Sequence, residues 1–118
     1  MKVEIGIEIR DAKLVGDLFE TTQIKAGQEK TIAEGVSIQL KNYMAREAVD
    51  FPTIVNIVAY VGEHVALPIA VGILSRYLYD KLKDRKTSKV TINQIQVEID
   101  AEKIEKLILR IHTEEHDE

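Results

Sequence analysis

Two places in this sequence hold residue types that could do chemistry together. His112-Thr113-Glu114-Glu115-His116 has the H-x-x-E-H spacing of the inverted zinc peptidases. That chemistry needs two imidazoles on one helical face, a carboxylate base, and a third protein ligand in a closed pocket. Only Asp117 and Glu118 follow the motif, so a third ligand would have to come from far upstream. A solvated, frayed acidic tail over 113–118 is the simpler expectation, with adventitious zinc or nickel binding its only metal chemistry. In mid-chain, Glu63-His64 sets an acid beside a base in apolar surroundings. Adjacent helical residues diverge by about 100° and do not face each other. No second cluster of Ser, His or Asp matches the pair, so an intersubunit hydrogen-bonding site or a kink filler is expected instead.

Other chemistries find less support. Tyr77 and Tyr79 beside Arg76 could stack on a base, but at this spacing they read as the amphipathic exit of a buried helix. Neither a G-x-G-x-x-G nor a P-loop spacing occurs. The absence of cysteine excludes disulfides, thiol catalysis and cysteine-ligated zinc. The expectation is a protein with no catalytic, cofactor-binding or metal-binding residues, hence no enzyme. Sixteen Lys and Arg against 20 Asp and Glu give net charge −4, which argues against a nucleic-acid partner.

The elements that would position any site follow from the hydropathy pattern. The 118 residues, 45% hydrophobic and 31% charged, fit one packed domain over 1–118. Val3, Ile5, Ile7 and Ile9 alternate with polar residues and predict a half-buried strand over 2–10. Its charged alternation is unlike a signal peptide, so a cytoplasmic location is expected. Asp11 offers a cap, and Leu14, Val15, Leu18 and Phe19 predict a short helix over 12–22. Residues 23–35 read as a loop, and Val36, Ile38 and Leu40 as a second strand. Residues 42–52 are ambiguous, with Ala45–Ala48 favouring helix and Pro52 stopping it.

A long helix is expected from Ile54 to about Asp84, roughly 45 Å at the helical rise. Pro68 should kink it near Gly62–His64. Val90 and Ile92, then Ile95, Val97 and Ile99, predict a hairpin around Asn93-Gln94, although Gln94 stands where such turns prefer Gly. Asp100 should cap a last helix whose Ile104, Leu107, Ile108 and Ile111 form one apolar face. The expected fold is α+β: a four-stranded sheet in the order β-α-β-α-β-β-α, with helices on one face, including one long apolar helix.

The expected long helix sets the question of association. Over 54–74 its apolar residues surround the axis, while a sheet covers one side only. Burial within a well-wrapped monomer is one answer. Insertion in a membrane is a second: the length suits a bilayer, and Lys81, Lys83, Arg85, Lys86 and Lys89 would flank it. The basic run over 81–89 reads otherwise as a solvated linker. Against insertion, a central charge such as Glu63 costs roughly 3 kcal/mol. Symmetric self-association is the third and the expected one. Small residues let a neighbouring backbone approach closely, so the expected interface is Ala59, Gly62, Glu63, His64, Ala66, Ile69, Ala70 and Ile73.

The order of elements also has a family look. An initial V-E-I-G-I-E-I strand, a short helix, and an apolar Gly/Ala-containing helix ending S-R-Y-L-Y-D-K-L-K precede a basic spacer. Then come V-T-I-N-Q-I-Q-V-E-I-D and a final A-E-K-I-E-K-L-I helix. This pattern resembles the effector-associated constant component of bacterial conflict systems, best over residues 72–108. The resemblance implies a shared adaptor in defence signalling, with an effector or NTPase protein of the same system as partner. It brings no catalytic residues. The departures from it are Gln94 and the polar Glu63-His64 step.

Overall fold

The computed structural model describes residues 1–11, 13–44, 53–62, 64–85 and 87–116, with the backbone alone at 87, 88 and 116. Strand β1 (Lys2–Ile9) follows its alternation: Val3, Ile5, Ile7 and Ile9 are buried and the residues between them face outward. In α1 (Leu14–Phe19) the four apolar residues at helical spacing are all buried. Asp11 accepts the Lys13 N–H at the approach to this helix, 2.9 Å. The stretch read as a loop contains a strand, β2 (Glu29–Ala33), which turns at Gly35 into β3 (Val36–Met44). The suggested helix over 45–48 and its stop at Pro52 lie outside the described residues.

The long apolar helix does not exist. Residues 54–84 divide into β4 (Thr53–Val61), a connection, and α2 (Leu67–Leu82). A strand buried largely on both faces shows apolar residues on every side when set on a helical period. At period two, Thr53, Val55, Ile57, Ala59 and Val61 point into the core, and Ile54, Asn56, Val58 and Tyr60 point the other way. Five β-branched apolar residues, Ile54, Val55, Ile57, Val58 and Val61, favour the pleated conformation. Gly62 and His64 belong to the turn between strand and helix, and no kink is made there. Pro68 is in the first turn of α2, where a missing N–H costs no intrahelical bond. Among the described residues, no helix is long and apolar enough to cross a membrane.

The hairpin β5 (Thr87–Ile92) and β6 (Ile95–Val97) turns at Asn93-Gln94 as expected. Both turn residues have positive φ, 48° and 69°, the type I′ geometry that matches strand twist. Helix α3 (Ala101–His116) starts where Asp100 Oδ1 accepts the Lys103 N–H, 3.0 Å. It continues through His116, so residues 113–116 are helical.

Among the described residues the sheet has six strands, not four, in the order β2-β3-β4-β1-β5-β6, and every neighbour is antiparallel. The α+β class stands. Inward residues of β1, β3, β4 and β5 share one core with α1, α2 and α3. Ile5, Ile7, Ile38, Ile92, Leu107 and Ile108 are buried in it, and Val97 packs half-buried at its edge. The opposite face of the sheet is mostly polar, with Ile54 and Val58 of β4 among its apolar residues. On it Lys41 pairs with Glu4, Asn56 donates to Asn42, and the Tyr60 hydroxyl donates to Gln39.

Candidate functional site

Helix α2 buries Ala70, Val71, Leu74, Ser75, Leu78 and Leu82. A second stripe, Ile69, Ile73, Arg76 and Asp80, recurs at helical spacing on the outside. Ile69 is 64% exposed and Ile73 37%, large apolar side chains set in water one turn apart. They border a groove of about 500 Å³ between α2 and the edge strand β2, which contributes Ile32. Pro68 and Gly72 line it on the α2 side, Tyr77 stands at its lower end, and Arg76 and Asp80 are its charged rim.

The expected interface residues are scattered by the true boundary between β4 and α2. Ala59, in β4, and Ala70, in α2, are fully buried in the core. Gly62, His64 and Ala66 are exposed in the connection, and Glu63 lies outside the described residues. Ile69 and Ile73 alone share the exposed apolar face of α2. Sequence reasoning missed Ile32 and Tyr77 as their companions. A helix begun at Pro68 would have separated the stripe at 69, 73, 76 and 80 from the buried positions.

Of the basic run over 81–89, Lys81 at the end of α2 and Arg85 just beyond it are held by ion pairs, while Lys83 and Lys89 are exposed. Arg85 donates through Nε to the Lys81 carbonyl, 2.8 Å, and its guanidinium pairs with both Asp11 and Asp17. Glu20, in the left-handed conformation that ends α1, meets Lys30 of β2 at 2.7 Å and Lys81 of α2 at 3.7 Å. Its carboxyl is held below the usual range, first by the Lys30 hydrogen bond and charge, then by Lys81. Partly exposed pairs of this kind contribute little stability each, but together they fix α1, β2 and α2 relative to one another. The charged basin of about 570 Å³ between them is thus lined by groups largely paired among themselves.

Tyr77 joins the apolar groove to this anchor. Its hydroxyl donates to the Leu18 carbonyl and its ring lies 5.3 Å from the Lys81 ammonium. Burial, then the negative charge of Glu20, pushes its phenol up to about 12. With its hydroxyl engaged inside the protein, Tyr77 serves as the amphipathic exit of the helix.

At the other candidate, His112 is half-buried on α3 and Glu114 reaches Arg110 at 3.6 Å, an ion pair along the helix. The His116 side chain is outside the described residues. Among those described, no three His, Cys, Asp or Glu side chains come together as a metal would need.

Among the described residues, fold and site define an α+β domain with three helices on one side of a six-stranded antiparallel sheet, and one of those helices keeps an apolar stripe at the surface. No protein-family model, curated protein or solved structure matches the chain.

Proposed function

We propose that this protein is a non-enzymatic adaptor that self-associates through the outer face of α2. The single observation carrying the reading is the pair Ile69 and Ile73, exposed beside the apolar groove at Ile32. Contiguous apolar surface with a polar rim is what protein contacts use, and a second copy is the commonest partner of a small chain. The proposed interface lies on the outer face of α2 beside Ile32, not along a helix that begins at Ile54. The resemblance to the effector-associated constant component supports an adaptor role beside an effector or NTPase protein in bacterial defence.

Light scattering after size-exclusion chromatography in detergent-free buffer tests the reading. The wild type should elute as a dimer or larger species, and Ile69→Asp with Ile73→Asp as a monomer of unchanged circular dichroism. A wild-type monomer at high concentration would overturn it. Hydrolytic activity lost on His112→Ala would overturn the non-enzymatic part.

A further inference from the structure

The two edges of the sheet differ, and the difference points to a second binding surface. Edge strand β2 is protected. Its Lys30 pairs opposite the buried Ile38, on the helix side of the sheet, and is tied there to Glu20. The ladder is also irregular between Thr31 and Ala33. An inward charge and a bulge are the devices that stop an edge from accepting another strand. Edge strand β6, Ile95-Gln96-Val97, has neither, and carries no Lys or Pro.

The register of β6 says which groups it offers. In a two-residue type I′ hairpin the flanking pair, Ile92 and Ile95, exchanges both backbone hydrogen bonds, and so does Val90 with Val97. Gln96 lies between them, so its N–H and C=O point to the free edge. Ile95 and Val97 face the helix side, where α3 passes. Between β6 and α3 runs a groove of about 370 Å³. Ile95, 39% exposed, Val97 and Leu107 make its apolar floor, and Lys103, Lys106 and Arg110 its rim. Glu98 pairs with Lys103 and Glu114 with Arg110, whereas Lys106 has no ion-pair partner among the described residues.

We infer that the β6–α3 groove binds an extended, acidic segment of another protein by strand addition. A strand hydrogen-bonded to Gln96 turns the side chains on either side of its paired residue toward α3. Two Glu side chains at those positions lay their methylenes over Ile95 and Leu107 and bring their carboxylates to Lys106 and its neighbours. Charge complementarity selects the partner: a basic rim on a chain of net charge −4. The inference goes beyond the self-association reading and does not rest on it, because β2 and β6 are opposite edges of the sheet.

The test is fluorescence anisotropy with a labelled Thr-Glu-Val-Glu-Thr peptide, against Thr-Lys-Val-Lys-Thr and a short oligothymidylate, alongside nitrogen-15 amide spectra. The acidic peptide should bind saturably, move the Gln96 amide, and weaken as salt rises. Gln96→Pro, which removes the outward N–H, and Lys106→Glu should each weaken it tenfold or more. Lys106 is exposed, so its variant keeps the test decisive should Gln96→Pro misfold. Equal binding of the basic peptide, or an unmoved Gln96 amide, would overturn the proposal. Equal binding of the oligonucleotide would reduce the groove to a basic patch and overturn it too. A wild-type oligomer that Gln96→Pro alone converts to monomer would assign the edge to a second copy instead.

Discussion

Replacing Gly35 with Ala should be the most damaging methyl group that can be added to a turn of this protein. Gly35 has φ +75°, and a Cβ there would stand 2.4 Å from Val65 Cγ2. Its carbonyl accepts the Gly62 N–H at 2.7 Å, so the β2–β3 turn is fastened to the connection that leads into α2. Two penalties therefore add. The left-handed conformation costs an Ala roughly 1–2 kcal/mol. Forcing a methyl against packed atoms costs about 1–3 kcal/mol more. Ala also has less freedom to lose on folding, which returns about 0.4–1 kcal/mol. Gly27 supplies the control, with φ +76° but nothing closer than Gln39 Nε2 at 3.9 Å. Gly27→Ala should cost about 1 kcal/mol and Gly35→Ala about 2–4 kcal/mol. Equilibrium urea unfolding followed by circular dichroism reads both from the shift in midpoint. Equal losses in the two variants would refute the steric argument, leaving only the shared backbone conformation as the cause.

Three further outcomes are expected. Burying an Ile contributes about 1.5–3 kcal/mol. Ile69 keeps 64% of its surface exposed in the monomer, so Ile69→Asp, counted in both copies, should weaken a dimer about 25- to 650-fold; sedimentation equilibrium measures it, and an unchanged constant places the interface elsewhere. Ile108→Ala empties a fully buried site on α3 and should cost about 2–5 kcal/mol in the same urea assay; a loss near zero would mean that α3 does not hold the core. Tyr77, pushed up to about 12, keeps its proton in the folded state above the unfolded value of about 10. Its contribution to stability is thus full below about pH 10 and lost as pH rises through the folded value. Phenolate absorbance should show one of the four tyrosines titrating late, and Tyr77→Phe should remove that component; a late component that survives belongs to another tyrosine.

Where one physical signal dominates, the sequence is readable. Strict alternation places β1, the Asn93-Gln94 pair places a hairpin, and Asp100 with the 104, 107, 108 and 111 face places α3. Residues 54–74 defeat the same reasoning because two periods meet in one apolar run. An inner strand is apolar on both sides, as Val58 shows: it faces the polar side of the sheet and is still only 5% exposed. Such a strand carries no alternation strong enough to distinguish it from a helix. The polar step at Gly62–His64, read as an interruption within a helix, is the boundary itself, and Pro68 marks a beginning. Strand β2 escapes notice for the opposite reason: as an edge it is charged and half-exposed, held by β3 on one side only. The candidate face was hidden along with the boundary. Ile69 and Ile73 were legible as exposed positions of some helix. Ile32 was not legible as their neighbour, since it comes from a distant strand that pattern alone does not reveal.

The placement of β1 governs how the molecule must assemble in time. Of the six described strands, the first in chain order ends between β4 and β5, with Ile5 opposite Ile57 on one side and Ile92 on the other. Both partners are far away along the chain, so loop closure must precede any reward from pairing, and folding should be slow for a protein of this size. Until Thr87–Ile92 is made, the growing chain has β1 with at least one bare edge and a row of isoleucines. Val3, Ile5, Ile7 and Ile9 are then a hazard for aggregation and a natural target for chaperones. Once β5 docks, the same strand is paired on both sides over Ile5–Ile9, and the amides there should be among the last to exchange with solvent.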